Sequence, residues 1–255
     1  MGVKKLLDLS GRNALVTGGS RGLGLQIAEA LIEMGAKVAI TARKKDELEE
    51  AKKHLGSSCR AFVSDIGKRE GIAPLVDDVM KQCGRIDILV NNAGATWGAP
   101  AEDHPLEAWD KLMNVNLTGL FVLSQLAAKR CMIPAKWGRI VNVASIAGLL
   151  GQDPRFAPTA AYTATKHGVV GLTRQLAAEW GKYGITVNAI CPGFFPSKMT
   201  KATLATTGEL VKEWTPTRRL GNDEDLKGLA VLLASEASRH INGQAIAVDG
   251  GAGIV

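Results

Sequence analysis

Tyr162 and Lys166 stand four residues apart in a run of small and apolar residues that continues through Leu172 and Leu176 to Trp180. The run has no Gly-Pro break, and its apolar positions recur at three and four residues, which predicts a long, mostly buried helix. A phenol and an ammonium at that spacing share one face. An ammonium beside a phenol favours the phenolate, so Lys166 is expected to bring the Tyr162 pKa down from its ordinary value of about 10 and make it a usable general acid or base. The plainer alternative is a surface pair with its lysine in water.

A second constellation suits an anion. Asn13-Ala-Leu-Val-Thr17 reads as a strand that runs into Gly18-Gly-Ser-Arg-Gly22-Leu-Gly24 and then an amphipathic helix from Leu25 to Met34, ended by Gly35. Strand, glycine turn and helix together offer backbone N–H groups at a helix N-terminus. Gly18 would allow the tight turn, Gly22 the close approach of a phosphate, and Gly24 close packing of helix on strand. An ordinary β–α turn is the alternative. The next strand, Lys37 to Ala42, ends without the acid that NAD-selective sites place there for the ribose 2′-hydroxyl. Arg43-Lys44-Lys45 follows instead, with Arg21 in the glycine turn, and two guanidinium groups able to fork a 2′-phosphate predict NADP. Otherwise Arg43 and the lysines are the solvated start of a helix over Asp46 to Leu55. After a strand from Arg60 to Ser64, Asp65 could accept from the adenine amino group or cap a helix.

The elements that must position these groups alternate. A helix from Arg69 to Gln82 precedes a strand from Ile86 to Val90 and then Asn91-Asn-Ala-Gly94, which implies a parallel sheet with right-handed crossovers and ligands beyond its C-terminal strand ends. A helix of about Pro105 to Met132 is apolar nearly all round, and is expected to be buried, with a second subunit as one cover. Asn114 and Asn116 within it need partners. The strand Gly138 to Ala144 delivers Ser145, and a loop through Gln152 to Pro158 returns to the Tyr162 helix. The strand Ile185 to Ile190 ends in Cys191-Pro192-Gly193, followed by Phe194, Phe195, Pro196 and Ser197. Lys198 to Arg219 reads as a mobile lid with a helix or two. A helix over Asp223 to Ala234 with Asn222 as N-cap, then a strand over Gln244 to Val248, complete the chain.

The 255 residues, 46% hydrophobic, suit one large α/β domain or two small ones, and no linker-like stretch divides them. Four scattered cysteines without a C-x-x-C and four scattered histidines predict neither disulfides nor a metal site. The apolar run before Ser10 is too short for a signal peptide and no span approaches membrane length, so a soluble cytoplasmic protein is expected. Net charge is +6, but basic and acidic residues are interleaved and aromatics are 5%, which argues against a nucleic-acid partner.

Taken together the motifs resemble the short-chain dehydrogenase/reductase family: Thr17-Gly-Gly-Ser-Arg-Gly-Leu-Gly24, Asp65, Asn91-Asn-Ala-Gly94, Val115-Asn-Leu-Thr-Gly119, Ser145, Tyr162-x-x-x-Lys166, Asn188-Ala-Ile-Cys-Pro-Gly193 and Val248-Asp-Gly-Gly251. They span essentially the whole chain in one order. The resemblance implies one Rossmann domain, doubly wound, with a seven-stranded parallel sheet of order 3-2-1-4-5-6-7. It also implies a homotetramer in which two long central helices pack on their counterparts. Tyr162 would protonate the carbonyl oxygen while the nicotinamide delivers hydride, Lys166 would bond the nicotinamide ribose and depress the Tyr162 pKa, Ser145 would hold the carbonyl oxygen, and Asn116 would anchor a proton-relaying water.

For the cofactor, the resemblance implies Gly18, Ser20, Arg21, Gly22, Leu23 and Gly24 from the glycine turn, with Arg43, Asp65 and Ile66. Asn91, Ala93 and Gly94 would follow on the adenosine side, then Tyr162, Lys166, Pro192 and Gly193, with Ile190 and Ser197 at the nicotinamide amide. Two departures stand out: Ser145 and Tyr162 are 17 residues apart, a few more than in many relatives, and Ser197 replaces a common Thr.

A mostly apolar pocket wall from Ala95, Thr96, Trp97, Ile146, Leu149, Phe156, Phe194 and Phe195 would suit an NADPH-dependent carbonyl reductase, of 3-oxoacyl-thioester type. A dehydrogenase of a sugar acid or polyol is the alternative, drawing polar groups from Gln152, Asp153 and Arg155. A non-catalytic NADP-binding redox sensor is the third.

Overall fold

The computed structural model describes residues 1–153 and 158–255. Its strands are β1 (Asn13–Thr17), β2 (Lys37–Ala42), β3 (Cys59–Val63), β4 (Ile88–Asn91), β5 (Gly138–Val143), β6 (Ile185–Pro192) and β7 (Ala245–Val248). All pair in parallel, in the order β3-β2-β1-β4-β5-β6-β7. Every residue of β5 and β6 is buried, as expected of near-continuous apolar strands covered on both faces. The order reverses between β1 and β4, and a crevice opens there at the C-terminal strand ends.

Helices α1 (Val3–Leu7), α2 (Gly22–Glu33), α3 (Lys45–Leu55), α4 (Ile72–Cys83), α5 (Leu106–Leu112), α6 (Gly119–Ala127), α7 (Ile133–Ala135), α8 (Ala160–Trp180), α9 (Lys201–Trp214) and α10 (Lys227–Ala234) occupy the connections. One core joins Ile27 and Leu31 of α2, Leu48 of α3 and Leu233 of α10 to Val16, Ile40 and Val90 of the sheet. The other joins Leu75 and Val76 of α4, Leu123 of α6 and Leu176 of α8 to Leu15, Leu89 and Val187. Alternate residues of β1 and β4 thus feed opposite faces of the sheet, the period-two rule in a sheet that packs a core on each face.

Three elements differ from the sequence expectation. α2 begins at Gly22, three residues before Leu25, so it starts inside the glycine turn. The long helix over Pro105 to Met132 is helical but broken by π-helical stretches at Met113–Thr118 and Ala128–Met132. It presses on the loop after β3 so closely that a Cβ on Gly119 would lie 2.2 Å from the Ile66 carbonyl oxygen. Its outer side leaves Leu106, Trp109 and Phe121 exposed. α10 starts at Lys227 because Asn222 spends its side-chain oxygen on the N–H groups of Glu224 and Asp225, capping a turn ahead of the helix. The segment read as a lid carries one helix, α9, tied to the body through fully buried Val211.

No helix among the described residues is long and apolar enough to cross a membrane, and none of their His, Cys, Asp and Glu side chains group in threes to hold a metal.

Candidate active site

The crevice is a cleft of about 500 Å³, inside the range of small-molecule sites. Its floor is pinned by Thr17, whose Oγ1 accepts the N–H groups of Asn92 (3.0 Å) and Ala93 (2.9 Å), joining the ends of β1 and β4. The Asn92 side chain returns the tie by donating to the carbonyls of Thr17 (2.9 Å) and Gly18 (3.2 Å). A Cβ on Gly24 would lie 2.4 Å from both the Gly18 carbonyl oxygen and the Asn92 amide nitrogen, so this glycine packs against the turn and Asn92 rather than against a strand. Gly22 has φ +52°, and a Cβ there would meet nothing nearer than Ser197 at 4.0 Å. It leaves open space beside the N-terminus of α2, which no side chain among the described residues caps. Free N–H groups at the positive end of a helix, with room above them, fit the phosphates of a dinucleotide.

Asn91 was expected on the cleft wall and is not there. Its side chain is buried, donating to Ser124 Oγ and Asn142 Oδ1, each at 2.9 Å. Successive strand residues face opposite ways, so Asn91 and Asn92 cannot both face the cleft, and Asn92 takes the place. Ile190, expected at the nicotinamide amide, is fully buried in the core.

At one end of the cleft stand Arg21, Arg43, Lys44 and Lys198, and among them a carboxylate that the sequence reading passed over. Arg21 Nη1 lies 2.6 and 2.7 Å from the two oxygens of Glu47, with Lys44 Nζ at 3.3 Å and Lys198 Nζ at 3.9 Å. Burial would raise the Glu47 pKa, but the Lys44 hydrogen bond and the charges of Arg21, Lys44 and Lys198 outweigh it and hold the group below the usual range. Nearby, Asp65 uses one oxygen on the Gly67 N–H at 3.0 Å and, with Ile66, borders the cleft.

At the other end, Ser145 leaves β5 with an extended backbone, and its Oγ accepts the Ala147 N–H at 3.1 Å. Its side chain is hydrogen-bonded to Tyr162. Tyr162 and Lys166, one turn apart on α8, both line the cleft. The expected influence of the lysine on the phenol is corrected here. Lys166 Nζ donates to the Val143 carbonyl at 2.8 Å and sits 5.5 Å from the centroid of the Tyr162 ring. Burial pushes the phenol pKa up, the Ser145 hydrogen bond opposes it, and Lys166 is not among the groups that lower it. Burial also brings Lys166 itself down to about 8.

Asn116 lies behind this wall, buried in the first π-helical stretch. Its Oδ1 accepts the Ala95 N–H at 2.8 Å, and its Nδ2 donates to the Ala95 carbonyl at 2.9 Å and Thr165 Oγ1 at 3.0 Å. The amide thus commits both Nδ2 hydrogens and one lone pair of Oδ1 to protein groups. It clamps the loop after β4 to α8, and a Cβ on the intervening Gly94 would lie 3.4 Å from Asn116 Oδ1 and 3.8 Å from Lys166 Nζ.

A family model described as short chain dehydrogenase matches residues 12–208. The chain belongs to the short chain dehydrogenase family. It is 39% identical over 253 residues to gluconate 5-dehydrogenase of Gluconobacter oxydans, covering 96% of each chain. It is 37% identical over 245 residues to 3-oxoacyl-[acyl-carrier-protein] reductase FabG of Vibrio cholerae, covering 96% of this chain and 98% of the relative. Among solved structures, a gluconate 5-dehydrogenase from Burkholderia cenocepacia in complex with NADP and tartrate superposes with a TM-score of 0.91 at 35% identity, covering 98% of both chains.

On this short chain dehydrogenase, the cleft is bordered by Gly18, Ser20, Arg21, Gly22, Leu23, Arg43, Asp65, Ile66, Ala93, Gly94, Pro192, Gly193 and Ser197 along with Ser145, Tyr162 and Lys166. Ser197 and Thr200 pair their hydroxyls at 3.0 Å on its rim. The expected apolar wall is mostly elsewhere. Ala95 and Phe195 border the cleft, whereas Phe194 lines a second, smaller cavity with Thr217 and Arg219. Ile146 is buried, because the short turn that Ser145 caps lies flat on α8; a Cβ on Gly148 would be 2.6 Å from the Lys166 carbonyl oxygen. Thr96, Trp97 and Leu149 are exposed to solvent. Phe156 and Arg155 lie outside the described residues. Periodicity carries no information on the path of the loops that hold these side chains, whereas Asn92 and Glu47 were within reach, through strand alternation and the first turn of α3.

Proposed function

We propose that this chain is an NADP(H)-dependent oxidoreductase that interconverts a ketone and a secondary alcohol. The observation that carries the reading is that Ser145, Tyr162 and Lys166 border the same cleft as the uncapped N-terminus of α2 and the basic cluster around Arg43. When bound, the nicotinamide supplies or accepts the hydride. The protein's share is orientation and proton transfer. The Ser145 oxygen, fixed by the Ala147 N–H, is placed to steady the substrate oxygen beside the phenol of Tyr162. Tyr162, kept protonated by burial, gives its proton to that oxygen in reduction and must lose it first for oxidation. Lys166, fixed on the Val143 carbonyl, stands one helical turn behind and is assigned to the cofactor ribose. Gly22 and the free amides of α2 are assigned to the pyrophosphate, and Arg43 with Lys44 and Lys198 to the 2′-phosphate.

Two substrate classes compete. A 3-oxoacyl thioester is the partner of the FabG relative, and an apolar wall would support it. A polyhydroxy acid is supported by the dispersal of that wall: of its described aromatic and aliphatic side chains larger than Ala, Phe195 alone borders the cleft. The name of the Gluconobacter relative points the same way. A panel of ethyl acetoacetate with NADPH and gluconate with NADP⁺ tests the choice. Turnover of gluconate and not of the ester supports the polyhydroxy-acid reading, the reverse supports the thioester reading, and nucleotide binding without turnover of any ketone or alcohol contradicts both.

We also place the chain in the cytoplasm as a homotetramer. The exposed Trp109 and Phe121 along α5 and α6 support pairing with further copies of the chain.

A further inference from the structure

Arg21, which with Arg43 could fork a 2′-phosphate, already has an anionic partner. One nitrogen of its guanidinium touches both oxygens of Glu47 at 2.6 and 2.7 Å, and that carboxylate also faces Lys44 and Lys198. All four side chains border the cleft. Glu47 sits in the first turn of α3, five residues beyond the end of β2, so it reaches sideways into the cluster instead of projecting from the strand end. Its charge is therefore held where a second anion would be a close neighbour, and like charges in one site oppose each other.

We infer that Glu47 is a selectivity residue of the nucleotide site, an internal carboxylate that occupies Arg21 and competes with an incoming 2′-phosphate. The inference rests on the NADP reading above and adds to it that the preference for 2′-phosphorylated nucleotides is held down by the protein's own acid. An acid at the strand end selects NAD by bonding the ribose; Glu47 acts on the opposite term, by taxing the phosphate. Its exposed surroundings keep the effect modest and dependent on ionic strength.

The experiment is calorimetric titration of 2′,5′-ADP and 5′-AMP into the wild type, Glu47→Gln, Arg21→Ala and the double variant. Neither probe turns over, so the readout is binding alone. The wild type should bind 2′,5′-ADP more tightly than 5′-AMP. Glu47→Gln should tighten 2′,5′-ADP about tenfold and change 5′-AMP by less than about twofold, because only the first carries the charge that Glu47 opposes. In the Arg21→Ala background the part of that gain that comes from freeing Arg21 should vanish, leaving a smaller gain from the removed repulsion. Unchanged or weaker 2′,5′-ADP binding in Glu47→Gln overturns the inference, since Glu47 would then be preparing Arg21 for the phosphate. So does an equal gain for both probes, or a gain that survives intact without Arg21. A wild type that binds the two probes equally removes the NADP reading, and this inference with it; a wild type that prefers 2′,5′-ADP while Glu47→Gln changes nothing removes the inference alone.

Discussion

Lys166 gives its ammonium to the carbonyl of Val143 at 2.8 Å, and not to the phenol of Tyr162 one turn earlier on the same helix. The lysine is 5% exposed, and burial brings its pKa from 10.5 to about 8. Below pH 8 both the folded and unfolded chains hold this proton, and the folded one bears the cost of burying it. Between pH 8 and 10.5 the unfolded chain binds more protons than the folded one, so stability rises with pH through that window. At about 1.4 kcal/mol per pH unit the cost below pH 8 is up to about 3 kcal/mol, less whatever the Val143 bond returns. Lys166→Met should therefore be more stable than the wild type at pH 7 without nucleotide, and the gap should close by pH 10.5. Urea midpoints at pH 7, 9 and 10.5 decide this; parallel profiles for the two proteins would show that Lys166 is not strained by its burial.

Ser145 bears on the phenol more directly. Its hydrogen bond lowers the Tyr162 pKa against the effect of burial, so Ser145→Ala should move the phenol further up. Alcohol oxidation needs the phenolate, and the rise of its rate with pH should shift to the alkaline side. Turnover should also fall by about a hundredfold or more with the loss of a group aimed at the reacting oxygen. A reduced rate with an unshifted pH profile would confine Ser145 to substrate positioning.

Arg43 borders the cleft, and among the described residues no carboxylate holds it as Glu47 holds Arg21. Arg43→Ala should weaken NADPH by about ten- to a hundredfold, the range for a lost charged hydrogen bond, and leave NADH within about twofold. Fluorescence titration of the two reduced nucleotides measures both. Equal losses would reduce Arg43 to surface charge.

Asn116 satisfies both the N–H and the carbonyl of Ala95 from a fully buried position. Asn116→Ala strands those groups and should cost about 2–4 kcal/mol of stability. Chemical denaturation measures the loss, and a change below 1 kcal/mol, on the order of one ordinary hydrogen bond, would mean that the clamp is dispensable.

That the sheet is parallel was legible in the alternation of strand and helix and in the mostly apolar β5 and β6, while its strand order came from the resemblance of the motifs to a known family. The Tyr162–Lys166 pair was legible as a shared helix face. What the pair does to its own pKa values was not, because that depends on where Nζ ends up, and Val143 lies 23 residues away in another element. Asn91 was assigned to the wrong side of its strand, although alternation with Asn92 bore on the choice. The substrate wall failed for a different reason: Phe195 borders both the cleft and the smaller cavity while its neighbour Phe194 borders only the smaller one, and a loop has no period from which to read that.

Turnover by Tyr162→Phe is the measurement closest to the centre of this account. Removing one oxygen leaves the ring, the helix and the phosphate cradle in place, so NADPH affinity should stay within about threefold while turnover falls by roughly three orders of magnitude or more. Turnover near the wild-type rate, with the nucleotide bound as before, would contradict the assignment of proton transfer to Tyr162 and leave the cleft as a nucleotide site only.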